Sequence, residues 1–183
     1  MKKLILSAIA VLTMAFTGQV YAQKNPMVGG AAMYANKDIV DNAVNSKDHT
    51  TLVAAVKAAG LVETLKGTGP FTVFAPTNAA FDKLPAGTVE TLVKPENKAT
   101  LTKILTYHVV AGKMDSKSIA KAIKDGGGKA ELTTVEGGKI WARLEGKKLV
   151  LKDEKGGLSI VTIADVNQKN GIIHVIDTVL MPK

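Results

Sequence analysis

The feature that most limits the fold of this chain is a series of five β-rich segments in its second half. The segments span residues 130–135, 139–144, 148–152, 159–166 and 172–180. Short turns that contain glycine separate them, the last being Asn170-Gly171. Such turns between β-rich segments are typical of antiparallel hairpins. The second half therefore predicts an antiparallel meander, in which Asn170-Gly171 supplies a positive φ at the final turn.

The first half of the chain has the hydrophobic period of helices. Apolar residues recur at helical spacing in residues 51–59, and Gly60 provides a stop signal. Thr77 is a suitable N-cap for a second helix, and Asp115 or Ser116 for a later one. One β-rich segment, residues 71–75, lies among these helices and is too apolar to stay exposed. The segregated helices and strands indicate an α+β domain in which this segment joins the sheet.

The N-terminus has the pattern of a secretory signal peptide. Lys2 and Lys3 precede an apolar run at residues 4–16, and Val20 and Ala22 stand at the positions that a signal peptidase reads. We expect residues 1–22 to be cleaved, residues 23–37 to form a flexible leader and residues 38–183 to form one domain. An uncleaved amphipathic start is the alternative. After cleavage the protein would be periplasmic or extracellular, without a transmembrane segment, because no later apolar run reaches spanning length.

The charge of the chain favours an anionic partner other than nucleic acid. The 24 Lys and Arg residues outnumber the 16 Asp and Glu residues, for a net charge of +8 that falls by two without Lys2 and Lys3. Arg143 is the only arginine, and aromatic residues make up 4%. Recognition of bases and phosphates favours arginine and stacked aromatic rings, so we expect no nucleic-acid partner. Weak attraction to acidic polysaccharides or membrane headgroups is the better expectation, and a merely solvated lysine surface is the alternative.

The sequence shows no catalytic or metal-binding motif. It has no cysteine, which excludes disulfides and thiolate ligands, and no Gly-x-Ser-x-Gly nucleophile motif. His49, His108 and His174 lack the spacing of metal ligands. We expect His49 on the surface or in a helix cap, and the other two within apolar extended segments. The chain is therefore predicted not to be an enzyme and to need no cofactor or metal. Trp141 could stack on a ligand, although a lone strand tryptophan more often packs on a sheet.

Three motifs together resemble the fasciclin domain family. They are FTVFAPTNAAF at residues 71–81, YHVV at residues 107–110, and NGIIHVID at residues 170–177 followed by VLMP at residues 179–182. The resemblance extends over about residues 38–182. Ala79 departs from it, because the family often has an acidic residue at this place. The disulfides of some exported relatives are impossible here, so packing alone must hold the domain.

The resemblance implies a fasciclin-like α+β fold, with helices packed on a bent antiparallel β-wedge. It also implies a non-enzymatic adhesion or matrix-associated role. Tyr107 and His108 become candidate binding residues, because the Tyr-His region of animal members is linked to receptor binding. We therefore expect an exported module that binds an envelope or extracellular polysaccharide or protein. Since some members bind carotenoids, the alternative is a carrier that holds a carotenoid or lipid in an apolar groove between helices and sheet.

Four polar residues of the motifs are expected to form a structural polar core: Thr77, Asn78, His174 and Asp177. They stand in otherwise apolar segments, where a buried polar group needs a hydrogen-bond partner. We expect Thr77, Asn78 and Asp177, together with His108, to bond to one another or to the backbone.

Overall fold

The computed structural model describes residues 25–183, so the signal peptide expected at residues 1–22 lies outside the described part. Within that part the α-helices are Ile39–Ala43 (α1), Thr50–Ala59 (α2), Val62–Lys66 (α3), Asn78–Phe81 (α4), Thr88–Leu92 (α5), Lys98–Tyr107 (α6) and Ser116–Asp125 (α7). The strands are Met27–Val28 (β1), Ala31–Ala32 (β2), Phe71–Pro76 (β3), Val109–Ala111 (β4), Ala130–Thr133 (β5), Lys139–Glu145 (β6), Lys148–Lys152 (β7), Leu158–Gln168 (β8) and Gly171–Ile176 (β9). Two 3-10 helices, Lys47–His49 and Pro95–Asn97, precede α2 and α6.

Local signals determine the ends of three helices, as predicted. α2 stops at Gly60, whose φ of 72° is left-handed. Thr77 caps α4, and Asp115 rather than Ser116 caps α7. Each cap side chain accepts a hydrogen bond from the backbone N–H three residues later, at 3.2 and 2.8 Å.

The large sheet of the described part has the strand order β4-β3-β9-β8-β7-β6-β5. β5 to β9 form the predicted antiparallel meander. β3 joins the sheet as predicted, but it runs parallel to β9, with Phe71 opposite Gly171 and Pro76 opposite Ile176. Both strands are buried along almost their whole length, which explains why their sequences are continuously apolar.

The sheet curls until its two edge strands nearly meet. Val110 of β4 forms an isolated bridge with Thr134, just beyond β5, and Val135 N donates a hydrogen bond to Val109 O at 2.7 Å. The bend is concentrated in β8, where the pairing with β9 shifts register twice and Asp165 has a φ of 61°. The result confirms the bent β-wedge of the fasciclin-like fold.

The helices pack on the sheet through two separate apolar cores. Val73 and Ala75 of β3 belong to the first core and Phe74 to the second, because successive side chains of a strand face opposite sides. α1 to α6 contribute to the first core. α7 contributes Ile119 and Ile123 to the second core, where they meet β5, β6 and β7. α7 therefore covers one face of these three strands and leaves the other face outward.

Residues 27–33 belong to the fold, although the sequence places them in a flexible leader at residues 23–37. β1 and β2 pair as a hairpin, and Val28 and Met33 are buried in the first core. Gly29 O accepts a hydrogen bond from Lys47 N at 3.1 Å, which holds the hairpin over the start of α2. The segment has no hydrophobic period of its own, so only its packing on the helices reveals its role.

The prediction of a positive φ at the Asn170-Gly171 turn is wrong. Gly171 does not have a positive φ; instead, a Cβ at this position would lie 2.1 Å from Phe71 O. Glycine is therefore required for the close approach of β3 and β9. Asn170 accepts a hydrogen bond from Ile39 N at 3.1 Å and donates to two carbonyls at the end of α3, at 2.7 and 3.0 Å. Its side chain joins α1 and α3 to the sheet.

Candidate functional site

Tyr107, the first candidate binding residue, is fully buried at the end of α6. Its hydroxyl donates a hydrogen bond to Lys139 O at 2.5 Å and accepts one from Glu154 N at 3.1 Å. Burial raises the pKa of the phenol to about 12, so it stays protonated and keeps its donor role. The side chain connects α6 to the start of β6 and to the turn after β7.

His108, the second candidate binding residue, is buried, and both of its ring nitrogens form hydrogen bonds. Nδ1 lies 2.8 Å from Ile104 O and must donate to it, whereas Nε2 accepts a hydrogen bond from Leu180 N at 3.0 Å. Burial lowers the pKa of the imidazole to about 4, so the ring is neutral near pH 7. His108 thus connects α6 to the chain end, whereas Tyr107 connects α6 to β6 and to the turn after β7. In this conformation neither side chain is open to a partner.

His174 of β9 is buried like His108, and both of its ring nitrogens also form hydrogen bonds. Its Nε2 donates to Met114 O at 2.9 Å, its Nδ1 accepts from Asp165 N at 3.4 Å, and its ring stacks on Phe74 with centroids 5.7 Å apart. Burial lowers its pKa as well. The ring thereby holds the loop before α7 against the bend of β8.

Asn78 and Asp177, which were expected in the structural polar core with His174 and Thr77, both bond within the protein. Asn78 accepts from Thr51 N at 3.0 Å and donates to Lys47 O at 2.9 Å, so it joins α4 to the start of α2. Asp177 accepts from Ile160 N at 2.8 Å. Burial alone would raise the pKa of Asp177, but the backbone hydrogen bond and the nearby Lys83 charge outweigh it and lower the pKa. Each of these polar groups therefore bridges two elements.

An apolar cavity of about 80 Å³ lies in the first core between α2 and the sheet. Leu52 and Val56 of α2, Val73 of β3 and Ile173 of β9 contribute to its walls. An empty apolar cavity of about 150 Å³ accommodates benzene, so this space fits only a few carbon atoms. The cavity therefore lies between helices and sheet and is small.

His49 lines this cavity and has an unpartnered nitrogen. Nδ1 lies 2.9 Å from Ser46 Oγ, whereas Nε2 is buried and makes no hydrogen bond to any described residue. Burial lowers the pKa of His49, against a smaller opposing effect of the Ala75 backbone. The expectation of a surface or capping role is wrong, because only 3% of His49 is exposed and its side chain does not cap α2. Val28 and Met33 of the β1–β2 hairpin line the same cavity as His49.

A shallow basic groove of about 290 Å³ lies on the outward face of β5, β6 and β7. Trp141 and Arg143 border it with Lys129 and Lys152. The alternation of β6 produces this arrangement, since its neighbouring Ile140 is buried in the second core. The groove offers an aromatic ring beside three cationic side chains. Elsewhere in residues 25–183, no three His, Asp or Glu side chains are grouped so that they could hold a metal ion.

Comparison with protein families decides the relationship that the motifs suggest. The model of the fasciclin domain matches residues 47–182. This chain belongs to the fasciclin domain family. The matched region contains Tyr107, His108 and His174, so the buried polar ties described above lie inside the family domain.

Relatives of this fasciclin domain occur in bacteria. The chain is 44% identical over 179 residues to Protein sll1483 of Synechocystis sp. (strain ATCC 27184 / PCC 6803 / Kazusa), covering 96% of this chain and 90% of that protein. It is 38% identical over 168 residues to cell surface glycolipoprotein MPB83 of Mycobacterium bovis, covering 88% of this chain and 69% of that protein. The family relationship thus extends over nearly the whole chain.

A solved structure with the same fold is the FAS1 domain pair from the insect cell adhesion molecule fasciclin I. The TM-score is 0.70 at 22% sequence identity, and the match covers 79% of this chain and 51% of that chain. At this identity the similarity supports the fold alone. None of the helices in residues 25–183 of this fasciclin domain is long and apolar enough to cross a membrane.

Proposed function

We propose that this fasciclin domain works outside the cytoplasm as a non-enzymatic module that binds an anionic component of the cell envelope or extracellular matrix. The observation that carries the proposal is the display of positive charge. All lysines of the described part except Lys139 are exposed. The cations that form salt bridges there are Lys66, Lys83, Lys103, Lys121, Lys139 and Arg143. The other lysines have no carboxylate within 4.0 Å and are available to an external anion.

The relatives support the proposal through their described locations. The relative from Mycobacterium bovis is named a cell surface glycolipoprotein. The signal pattern of residues 1–22 would bring this chain to the same side of the membrane. A binding role for Tyr107 and His108 stays a prediction. Because His108 accepts from Leu180 N, a partner would reach its ring only after the chain end moved away.

Binding of the purified chain to the envelope fraction of its own source, measured across a salt titration, tests the proposal. The Debye length shrinks from about 10 Å at 0.1 M salt to about 3 Å at 1 M. Binding through exposed lysines should therefore weaken steadily over this range. Binding that persists at 1 M would indicate a specific surface in addition to charge. Absence of binding at every salt concentration would refute the proposal.

A second candidate function is supported by the apolar cavity. We propose that it accommodates part of a small apolar ligand, whose single polar atom bonds to His49 Nε2. A whole carotenoid or lipid is too large for about 80 Å³, so the β1–β2 hairpin or α2 would have to shift to admit one. Native mass spectrometry of the protein as isolated from its source should show a bound small molecule. The variant Val56→Phe, which fills the cavity, should lack it, and a wild-type protein without any adduct would rule this function out.

A further inference from the structure

Trp141 is held in a defined orientation on the outward face of the sheet. Its indole Nε1 donates a hydrogen bond to Glu131 Oε2 at 3.2 Å across the β5–β6 pair. The other oxygen of Glu131 pairs with Lys139 Nζ at 3.0 Å. Lys139 thereby compensates the charge of the Glu131 carboxylate, and the hydrogen bond from Nε1 holds one edge of the indole ring. The side chain is half-buried and borders the groove, so part of the indole is accessible there.

Three cationic residues lie near this indole, one on its own strand and two on or beside the neighbouring strands. Lys152 of β7 stands directly opposite Trp141 in the register. Arg143 lies two residues further along β6 and therefore on the same face, and Lys129 immediately precedes β5. Arg143 is paired with Glu145 at 2.5 Å. Lys129 and Lys152 are exposed and have no carboxylate within 4.0 Å in the described part, so the groove keeps an uncompensated positive charge.

We propose that this groove binds an anionic polysaccharide, with a sugar ring stacked on Trp141 and its carboxylate groups held by Lys129, Lys152 and Arg143. The C–H groups on one face of a pyranose ring form an apolar surface that packs on an indole. Acidic substituents at the ring edge would then meet the flanking cations. The inference rests on the proposed function, because it assigns a surface and a partner class to the same envelope binding.

The composition of the face favours a polysaccharide over the other anionic polymers. A membrane surface would require a continuous apolar patch, but the residues that border the groove beside Trp141 are mainly charged. A nucleic acid would require several aromatic rings to stack successive bases, and Trp141 is the only aromatic residue that borders the groove. The single indole ring of Trp141, with cations beside it, therefore suits a sugar ring that carries acidic groups at its edge.

The test compares two double variants with equal loss of charge. Lys129→Gln/Lys152→Gln removes two unpaired lysines beside Trp141. The matched control Lys117→Gln/Lys124→Gln removes two exposed, unpaired lysines of α7, which covers the opposite face of the same strands. The probe is polygalacturonate, with dextran as the neutral polymer and phosphatidylglycerol vesicles as the anionic membrane. Trp141 is the single tryptophan, so its fluorescence reports occupancy of the groove directly, and calorimetry measures the affinity.

The wild type should bind polygalacturonate with a shift in Trp141 emission and should not bind dextran. The groove variant should lose about tenfold in affinity and the α7 variant less than about twofold. Trp141→Leu should weaken binding by a similar factor, and Trp141→Tyr should restore most of it if stacking is the cause. Circular dichroism of each variant shows whether it is folded.

Three results would overturn the inference. Equal losses in the two double variants would mean that charge alone attracts the polymer. Binding to vesicles but not to polygalacturonate would mean a membrane partner. Full envelope binding by the Trp141→Leu variant would place the interaction elsewhere, while the proposed function would still stand. Failure of the wild type to bind any envelope fraction would instead remove the proposed function together with this inference.

Discussion

The hydroxyl of Tyr107 offers the sharpest test of the buried ties, because Tyr107→Phe deletes one oxygen and leaves the ring in place. That oxygen donates to Lys139 O and accepts from Glu154 N. A hydrogen bond of this kind contributes about 1 kcal/mol net, and an unsatisfied buried partner adds to the loss. The backbone groups concerned are only partly buried, so water can reach some of them. We expect a loss of about 2 kcal/mol in the free energy of unfolding.

A loss of this size should lower the melting temperature by about 4–8 °C in a chain of this length. Urea unfolding, followed by Trp141 fluorescence and by circular dichroism, measures the free energy directly. Coincident transitions from the two probes would show that the two-state treatment is valid.

Tyr34→Phe is the matched control for this experiment. Tyr34 is 44% exposed, and its hydroxyl makes no hydrogen bond in residues 25–183, although its ring lies 5.2 Å from Lys37 Nζ. Phenylalanine keeps that ring contact, so the variant should unfold within about 0.5 kcal/mol of the wild type. If Tyr107→Phe also unfolds within about 0.5 kcal/mol of the wild type, the hydrogen bonds of this hydroxyl do not stabilise the contact between α6 and the sheet, and the reasoning is refuted.

Three further predictions concern stability. Burial lowers the pKa of His108 from 6.5 to about 4, so between these pH values the unfolded chain binds more protons than the folded chain. The free energy of unfolding should therefore fall by about 3 kcal/mol as the pH decreases from 6.5 to 4. A pH series of urea unfolding should show this loss in the wild type and not in His108→Gln. Asn170→Ala loses three hydrogen bonds and should destabilise by about 2–4 kcal/mol in thermal melts, whereas the exposed Asn36→Ala should be neutral. Gly171→Ala places a Cβ 2.1 Å from Phe71 O and should cost about 3 kcal/mol or prevent soluble expression; a melting curve equal to that of the wild type would contradict the close approach.

The elements that could be predicted are those with a local cause. Gly60 ends α2 and Thr77 begins α4 through contacts within a few residues of the chain. The meander of β5 to β9 follows in the same way from alternation and glycine turns. In each case the free energy that decides the structure is already available to a short segment.

The elements that were mispredicted have partners distant in sequence. Gly171 resembles a turn glycine, yet its requirement comes from Phe71, one hundred residues earlier in the chain. His49 resembles a surface residue at a helix start, yet it is buried beside a cavity that Val28 and Val73 also line. Neither segment contains a signal of the contact, because the contact exists only when the two segments are packed together.

The candidate groove was partly accessible from sequence. The alternation around Trp141 shows that it shares a face with Arg143. The positions of Lys129 and Lys152 on that face depend on the registers of β5 with β6 and of β6 with β7. Sequence alone left ligand stacking and sheet packing both open for Trp141, since Lys129 and Lys152 are brought beside it only by strand pairing.

The sequence by itself determined the α+β class, the meander, the helix caps and the excess of lysine, because periodicity, turn chemistry and charge are properties of short segments. Only the tertiary structure decided that β3 lies parallel to β9 and that Tyr107 and His108 are buried ties rather than an open surface. The same packing placed a cavity beside His49 and a basic groove around Trp141. These features require long-range pairing, in which the gain from burial and hydrogen bonding appears only after remote parts of the chain have been brought together.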